Sequence, residues 1–128
     1  MADIINLMIV DDSSRARSAL EALLSLRRGL KIISRASNGL EAVNMIEEFM
    51  PGVVLMDAKM PVMDGLEATR IIKSRLPGVR VVILSMYSDY ISEALASGAD
   101  NFLLKGCSME EMMSAIIGRS EGTPTFAP

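Results

Sequence analysis

Apolar residues fall along this chain in two alternating textures: short unbroken runs, and longer stretches where they recur every three or four positions. Short unbroken runs rich in β-branched side chains read as strands buried on both faces, and the 3.6-residue recurrence reads as amphipathic helix. Ile4–Val10 is the first strand, interrupted only by polar Asn6. Ser13 or Ser14 caps the helix that follows, whose Ala16, Leu20, Leu23 and Leu24 recur at helical spacing, and Gly29 closes it. Leu30–Ala36 is the second strand. Asn38-Gly39 opens a helix with Ala42, Val43, Ile46 and Phe49 on one face, ended by Pro51.

Val53–Asp57 is the third strand and leads into a loop containing Pro61. Asp64, in a capping-box-like pair with Glu67, starts a helix that runs to about Leu76 and stops at Pro77-Gly78. Val79–Ser85 is the fourth strand, about Tyr90–Ser97 a short helix ended by Gly98, and Asp100–Lys105 the fifth strand. Ser108, with Glu111 three residues later, caps a last helix that runs to about Arg119. Five β–α units with continuous strands predict an α/β fold, a doubly wound parallel sheet with helices on both faces. At 128 residues the chain is expected to build one core, with 1–120 as the domain. The stretch 121–128 has no period and reads as a flexible tail or the start of a linker.

Composition narrows the chemistry. Half of the residues are apolar and 4% are aromatic, so the core is aliphatic, with eleven Met among its fillers. No apolar stretch approaches the roughly 18–20 residues that span a bilayer, and the N-terminus does not read as a signal peptide. A cytoplasmic protein is expected. The single Cys107 excludes an internal disulfide and a Cys-based zinc cluster. A net charge of −3 argues against nucleic-acid binding by this domain. Arg15, Arg17, Arg27, Arg28 and Lys31 crowd the first third, and are expected on a solvated helix face and its end. The chain contains no His, which excludes Ser-His and Cys-His mechanisms and any phosphohistidine carrier.

The informative residues stand where strands stop: Asp11-Asp12 after the first, Asp57 after the third, Ser85 after the fourth and Lys105 after the fifth. Ligands of open α/β sheets bind outside those carboxyl ends. Three carboxylates and one ammonium leave about −2 of charge, an inventory that suits Mg²⁺ with phosphate oxygens. A carboxylate nucleophile beside such a metal points to phosphoryl transfer through an aspartyl-phosphate on Asp57. The site then gains about one negative charge, because the lost carboxylate charge is replaced by nearly −2. Lys105 can pair with that charge and the Ser85 hydroxyl can turn in toward it. Lys59 and Tyr87 each lie two residues beyond a site residue. Lys59 could pair with the acids and Tyr87 screen the phosphate from water, prolonging its lifetime; simple solvent exposure is the competing reading. Asp64 and Gly65 read most simply as a helix start, and Phe102 as core.

The segments Leu7–Asp12, Val54–Gly65, Ile83–Ser85 and Gly98–Lys105, in this order and spacing, resemble the receiver domain of two-component response regulators. The resemblance covers residue 4 to about 119, and the Leu-Leu-Lys-Gly ending is most like receivers of the LuxR/NarL type. It implies a flavodoxin-like strand order 2-1-3-4-5. It implies Asp57 as phosphoacceptor and Asp11, Asp12, Asp57 and the Lys59 backbone carbonyl as Mg²⁺ ligands. Ser85 becomes the switch hydroxyl, Phe102 the switch aromatic and Lys105 the phosphate-pairing cation. The implied donor is a sensor histidine kinase, and the implied reader is an output domain or partner protein on the face of the fourth and fifth units. DNA would be met only through a further C-terminal domain, and a homodimer on phosphorylation stays open.

Two features depart from that pattern. Gly106 stands where many receivers have Pro, and the stretch from Ser85 to Lys105 is a couple of residues short, which bears on the fourth helix. A stand-alone receiver acting through protein contacts is an alternative. So is a Mg²⁺-dependent aspartyl phosphatase, although Asp11-Asp12 is followed by Ser13, not by a second Asp two residues on. A flavin-binding module lacks a Ser/Thr/Gly-rich loop after the first strand.

Overall fold

The computed structural model describes residues 3–118. Five strands alternate with five helices: β1 (Ile5–Val10), α1 (Ser14–Leu24), β2 (Leu30–Ala36), α2 (Gly39–Phe49), β3 (Val53–Asp57), α3 (Gly65–Arg75), β4 (Arg80–Ser85), α4 (Ile91–Ser97), β5 (Asn101–Leu104) and α5 (Met109–Ile117). All neighbouring strands pair in parallel, in the order β2-β1-β3-β4-β5. This is the doubly wound, flavodoxin-like sheet expected from the continuous strands. No helix among the described residues is long and apolar enough to cross a membrane.

The unbroken apolar runs are explained by burial on two sides. Met8, Val10, Val54, Met56, Val81, Ile83 and Phe102 face one core, filled out by α2 and α3 side chains such as Ile46 and Ile72. Leu7, Ile9, Val53, Leu55, Val82, Leu84 and Leu103 face the other, against Leu24 of α1 and Met112, Ala115 and Ile116 of α5. With apolar cover on both faces, a strand needs no polar alternation.

Strand β2 is irregular at one point. The register passes from Leu7↔Ile32 to Met8↔Ser34, so Ile33 is an extra residue. A one-residue bulge exchanges the faces of everything after it. Leu30 and Ile32 therefore pack with the α1–α5 core, while Ala36 packs on the opposite side.

Helix starts follow the capping signals. Ser13, Asn38, Asp64 and Ser108 each accept a backbone N–H three residues on, and Ser108 with Glu111 completes a capping box. The pair at Asp64 is only half a box. Asp64 accepts from the Glu67 N–H at 2.8 Å, but the Glu67 carboxylate turns to Arg70 at 2.6 Å.

Gly29 does not close the first helix. That helix ends at Leu24 with Ser25 as its cap, and the Gly29 carbonyl instead accepts the Ile5 N–H at the start of the sheet. The last helix ends at Ile117 on Gly118, before Arg119, which with residues 121–128 lies outside the described residues. The fourth helix is short, in keeping with the reduced spacing. It has seven residues behind a single 3-10 turn, Ser88–Tyr90, and neither start carries a side-chain cap.

Candidate functional site

β1 and β3 are adjacent, yet the chain leaves β1 toward β2 on the opposite side. That switch point opens a crevice at the carboxyl edge, and there the acids converge. Asp11, Asp12 and Asp57 each bring a carboxylate oxygen within 4.8 Å of the other two. Lys105, one residue past β5, spans two of them: its Nζ lies 3.0 Å from Asp11 Oδ2 and 3.3 Å from Asp57 Oδ2. Asp11 and Asp57 are buried, and Asp12 is exposed.

Electrostatics divides these groups. Burial pushes the Asp57 carboxyl above its ordinary value; Lys105 opposes this, Asp11 adds to it, and the N–H of Lys59 donates to the carboxylate. Burial acts to lower the Lys105 ammonium, but its hydrogen bond to Asp11 and the Asp57 charge outweigh that and raise it. Asp57 is thus a carboxylate poorly solvated for its charge, next to a firmly protonated lysine. Such a group gains from any cation that enters the cluster.

The backbone around Asp57 is packed to close tolerance. A Cβ on Gly65 would stand 1.9 Å from the Asp57 carbonyl oxygen, so only glycine lets α3 start against the end of β3. The Gly65 N–H donates to the Ala58 carbonyl at 3.0 Å, tying the intervening loop shut. Within that loop Val62 has φ +69° and is 76% exposed.

A model of the response regulator receiver domain matches residues 7–117. The chain belongs to this family. The receiver is 39% identical over 126 residues to the transcriptional regulatory protein LnrK of Bacillus subtilis, covering 97% of this chain and 57% of LnrK. It spans about half the length of the curated relatives it matches. A DNA-binding response regulator of the LuxR family from Staphylococcus aureus superposes with a TM-score of 0.83 at 32% identity, covering 90% of this chain and 98% of that one. A chain of the CheX–CheY–BeF3–Mg²⁺ complex from Borrelia burgdorferi gives 0.80 at 26%, covering 89% and 87%.

Of the residues singled out in the sequence, the receiver's fold gathers Asp11, Asp12, Asp57 and Lys105 into one cluster. Ser85 is buried at the next strand end, but its hydroxyl is engaged elsewhere. It donates to the Tyr87 carbonyl at 3.0 Å and accepts the Tyr87 N–H at 3.1 Å. Phe102 is packed inward with the α2–α4 core. The Lys59 side chain is exposed, and Tyr87 is 64% exposed. Gly106, at φ +94°, adopts a backbone that proline cannot, which accounts for the departure after Lys105.

Two residues of the site region carry more than their sequence pattern suggests. Gly65 shows no signal beyond a helix start. Arg17 was expected on a solvated face, but it is half-buried and its Nη1 donates to the Asp11 carbonyl at 2.6 Å. Its spacing of three from Leu20 and seven from Leu24 places it on the inward stripe, and that signal was available.

Proposed function

We propose that this receiver is a phosphorylation-activated switch of a two-component system, with Asp57 as phosphoacceptor. The observation that carries the reading is the crevice where Asp11, Asp12 and Asp57 meet within 4.8 Å and Lys105 spans two of them. The donor is the phosphohistidine of a partner sensor kinase, since this chain has no His of its own. An Asp57 carboxylate oxygen forms the new O–P bond as the P–N bond of the donor breaks. The leaving electron pair returns to the imidazole nitrogen, which takes its proton from solvent.

The donor set fits Mg²⁺: hard oxygens, a charge of about −2 after Lys105 is counted, and an exposed Asp12 at the mouth. Asp11, Asp12, Asp57 and the backbone carbonyl of Lys59 would hold it. What a bound Mg²⁺ supplies is neutralisation of the carboxylates and of the phosphoryl oxygens. BeF3 and Mg²⁺ named together in the CheX–CheY complex support this pair of ligands. Lys105 then pairs with the phosphoryl group. The Ser85 hydroxyl leaves the Tyr87 backbone to donate to it, and Phe102 follows as the switch aromatic. The result is a shift in population between two conformers, set by contacts only the phosphorylated form can make.

The role is regulatory, not that of a turnover enzyme, and its place is the cytoplasm. Residues 1–120 form the receiver, and 121–128 begin the linker to a DNA-binding output half, in keeping with relatives about twice as long. Met86, Tyr87, Leu95 and Leu104 are exposed apolar side chains on the fourth and fifth units and supply a surface for the reader, whether output domain, partner protein or second copy.

One experiment tests the assignment. The protein is incubated with Mg²⁺ and a small acyl phosphate and weighed intact. Wild type gains a phosphoryl group and Asp57→Asn does not; equal gain by both overturns the reading. The side chains of Lys59 and Tyr87 are proposed to lengthen the phosphoprotein lifetime, so Lys59→Ala and Tyr87→Ala shorten it by roughly two- to fivefold, about 0.4–1 kcal/mol. Unchanged hydrolysis in both variants removes them from the mechanism.

A further inference from the structure

Arg17 is the one basic residue of α1 seen to bond back into the acidic crevice among the described residues. Its guanidinium donates to the carbonyl of Asp11, and that carbonyl belongs to the peptide linking Asp11 to Asp12. The other polar groups of Asp11 are bonded as well. Its N–H donates to Ala36 of β2 at 3.1 Å, its Oδ1 accepts the Ser13 N–H at 2.9 Å, and its Oδ2 holds Lys105. With the peptide plane after Asp11 also held, the direction in which Asp12 leaves the strand is set. The guanidinium further feels Glu41 at the start of α2, whose carboxyl is held down first by the Ser37 N–H and hydroxyl and last by the charge of Arg17.

We infer that Arg17 is a positioning residue for the metal site: by holding the Asp11–Asp12 peptide it aims the Asp12 carboxylate into the cluster. This rests on the proposed Mg²⁺ reading. Charge and positioning make opposite predictions, which gives the test its force. A cation near the crevice opposes Mg²⁺ by repulsion, so removing Arg17 would tighten binding if charge were its whole effect. If it aims a ligand, removal weakens binding, as loss of a partner that orients a metal ligand does.

The test is calorimetric titration of the unphosphorylated full chain with Mg²⁺, for wild type, Arg17→Met and Arg17→Lys, each first shown to be folded by circular dichroism. The expected result is about tenfold weaker binding in Arg17→Met. Arg17→Lys, which keeps the charge but not the reach and fork of the guanidinium, should fall between. Equal or tighter binding in Arg17→Met overturns the inference. Should that variant not fold, wild-type affinity in Arg17→Lys overturns it instead. No Mg²⁺ binding by wild type would sink the metal site itself, and this inference with it. Normal binding by wild type leaves the metal site standing, so that a failure in the variants counts against Arg17 alone.

Discussion

Asp57 combines burial with a charge that Lys105 and the Lys59 N–H offset only in part, and this makes it costly to the fold it serves. Because its folded-state value is raised, the native chain holds that proton more tightly than the unfolded chain. Stability from this group is therefore greatest below the ordinary carboxylate range and falls as pH rises through the folded value. Asp57→Asn should raise the melting temperature at pH 7 by roughly 4 °C, the shift about 1 kcal/mol gives in a domain of this size. The gain should vanish in acid, where both side chains are neutral; a gain that persists there would show a different cause. Val62 carries a cost of a different kind, in its backbone. A β-branched side chain at φ +69° carries a left-handed penalty, and its exposure leaves little packing to offset it. Val62→Gly should stabilise by about 1 kcal/mol in urea denaturation, less whatever entropy glycine adds to the unfolded chain.

At the scale of elements, what matters is how closely α3 follows β3. The Cβ that alanine would place at position 65 meets backbone at 1.9 Å, and no rotamer change can relieve that. Gly65→Ala should destabilise by roughly 2–3 kcal/mol and slow phosphorylation, because the end of β3 must retreat and carry Asp57 with it. Retention of wild-type stability would mean that the loop between β3 and α3 is softer than its hydrogen bonds imply. Apart from the end of α1, the elements themselves were legible in the sequence to within a residue or two, since caps and apolar runs are local signals. Gly29 shows where such signals fail. Glycine marks both helix ends and strand entries, and only the position of β1 beside it tells which applies. The α4 region was legible as a length, not as a geometry: a short spacing does not say that the first turn will be 3-10.

For the whole molecule, an ion held in the crevice as proposed would add to stability by mass action. Mg²⁺ at 100 times its dissociation constant should add about 2.7 kcal/mol to the unfolding free energy, and Asp12→Ala should lose most of that increment. An equal Mg²⁺ shift in both proteins would place the ion elsewhere. By itself the sequence determined the class of fold, the five β–α units and the identity of the acids and the lysine. These are matters of local pattern and of which residue ends each strand. The strand ends already predicted that the four site residues share one edge; only the tertiary structure decided how they meet, with Lys105, 94 positions from Asp11, reaching it across the sheet to span Asp11 and Asp57. It also decided that Ser85 is held by the Tyr87 backbone and that the Arg17 guanidinium bonds the Asp11 carbonyl. The bulge at Ile33 belongs with these: it exchanges the two faces of β2, and no alternation along the chain records it. Each of these depends on what a neighbouring strand or helix places opposite a residue, and a linear pattern carries no information about that.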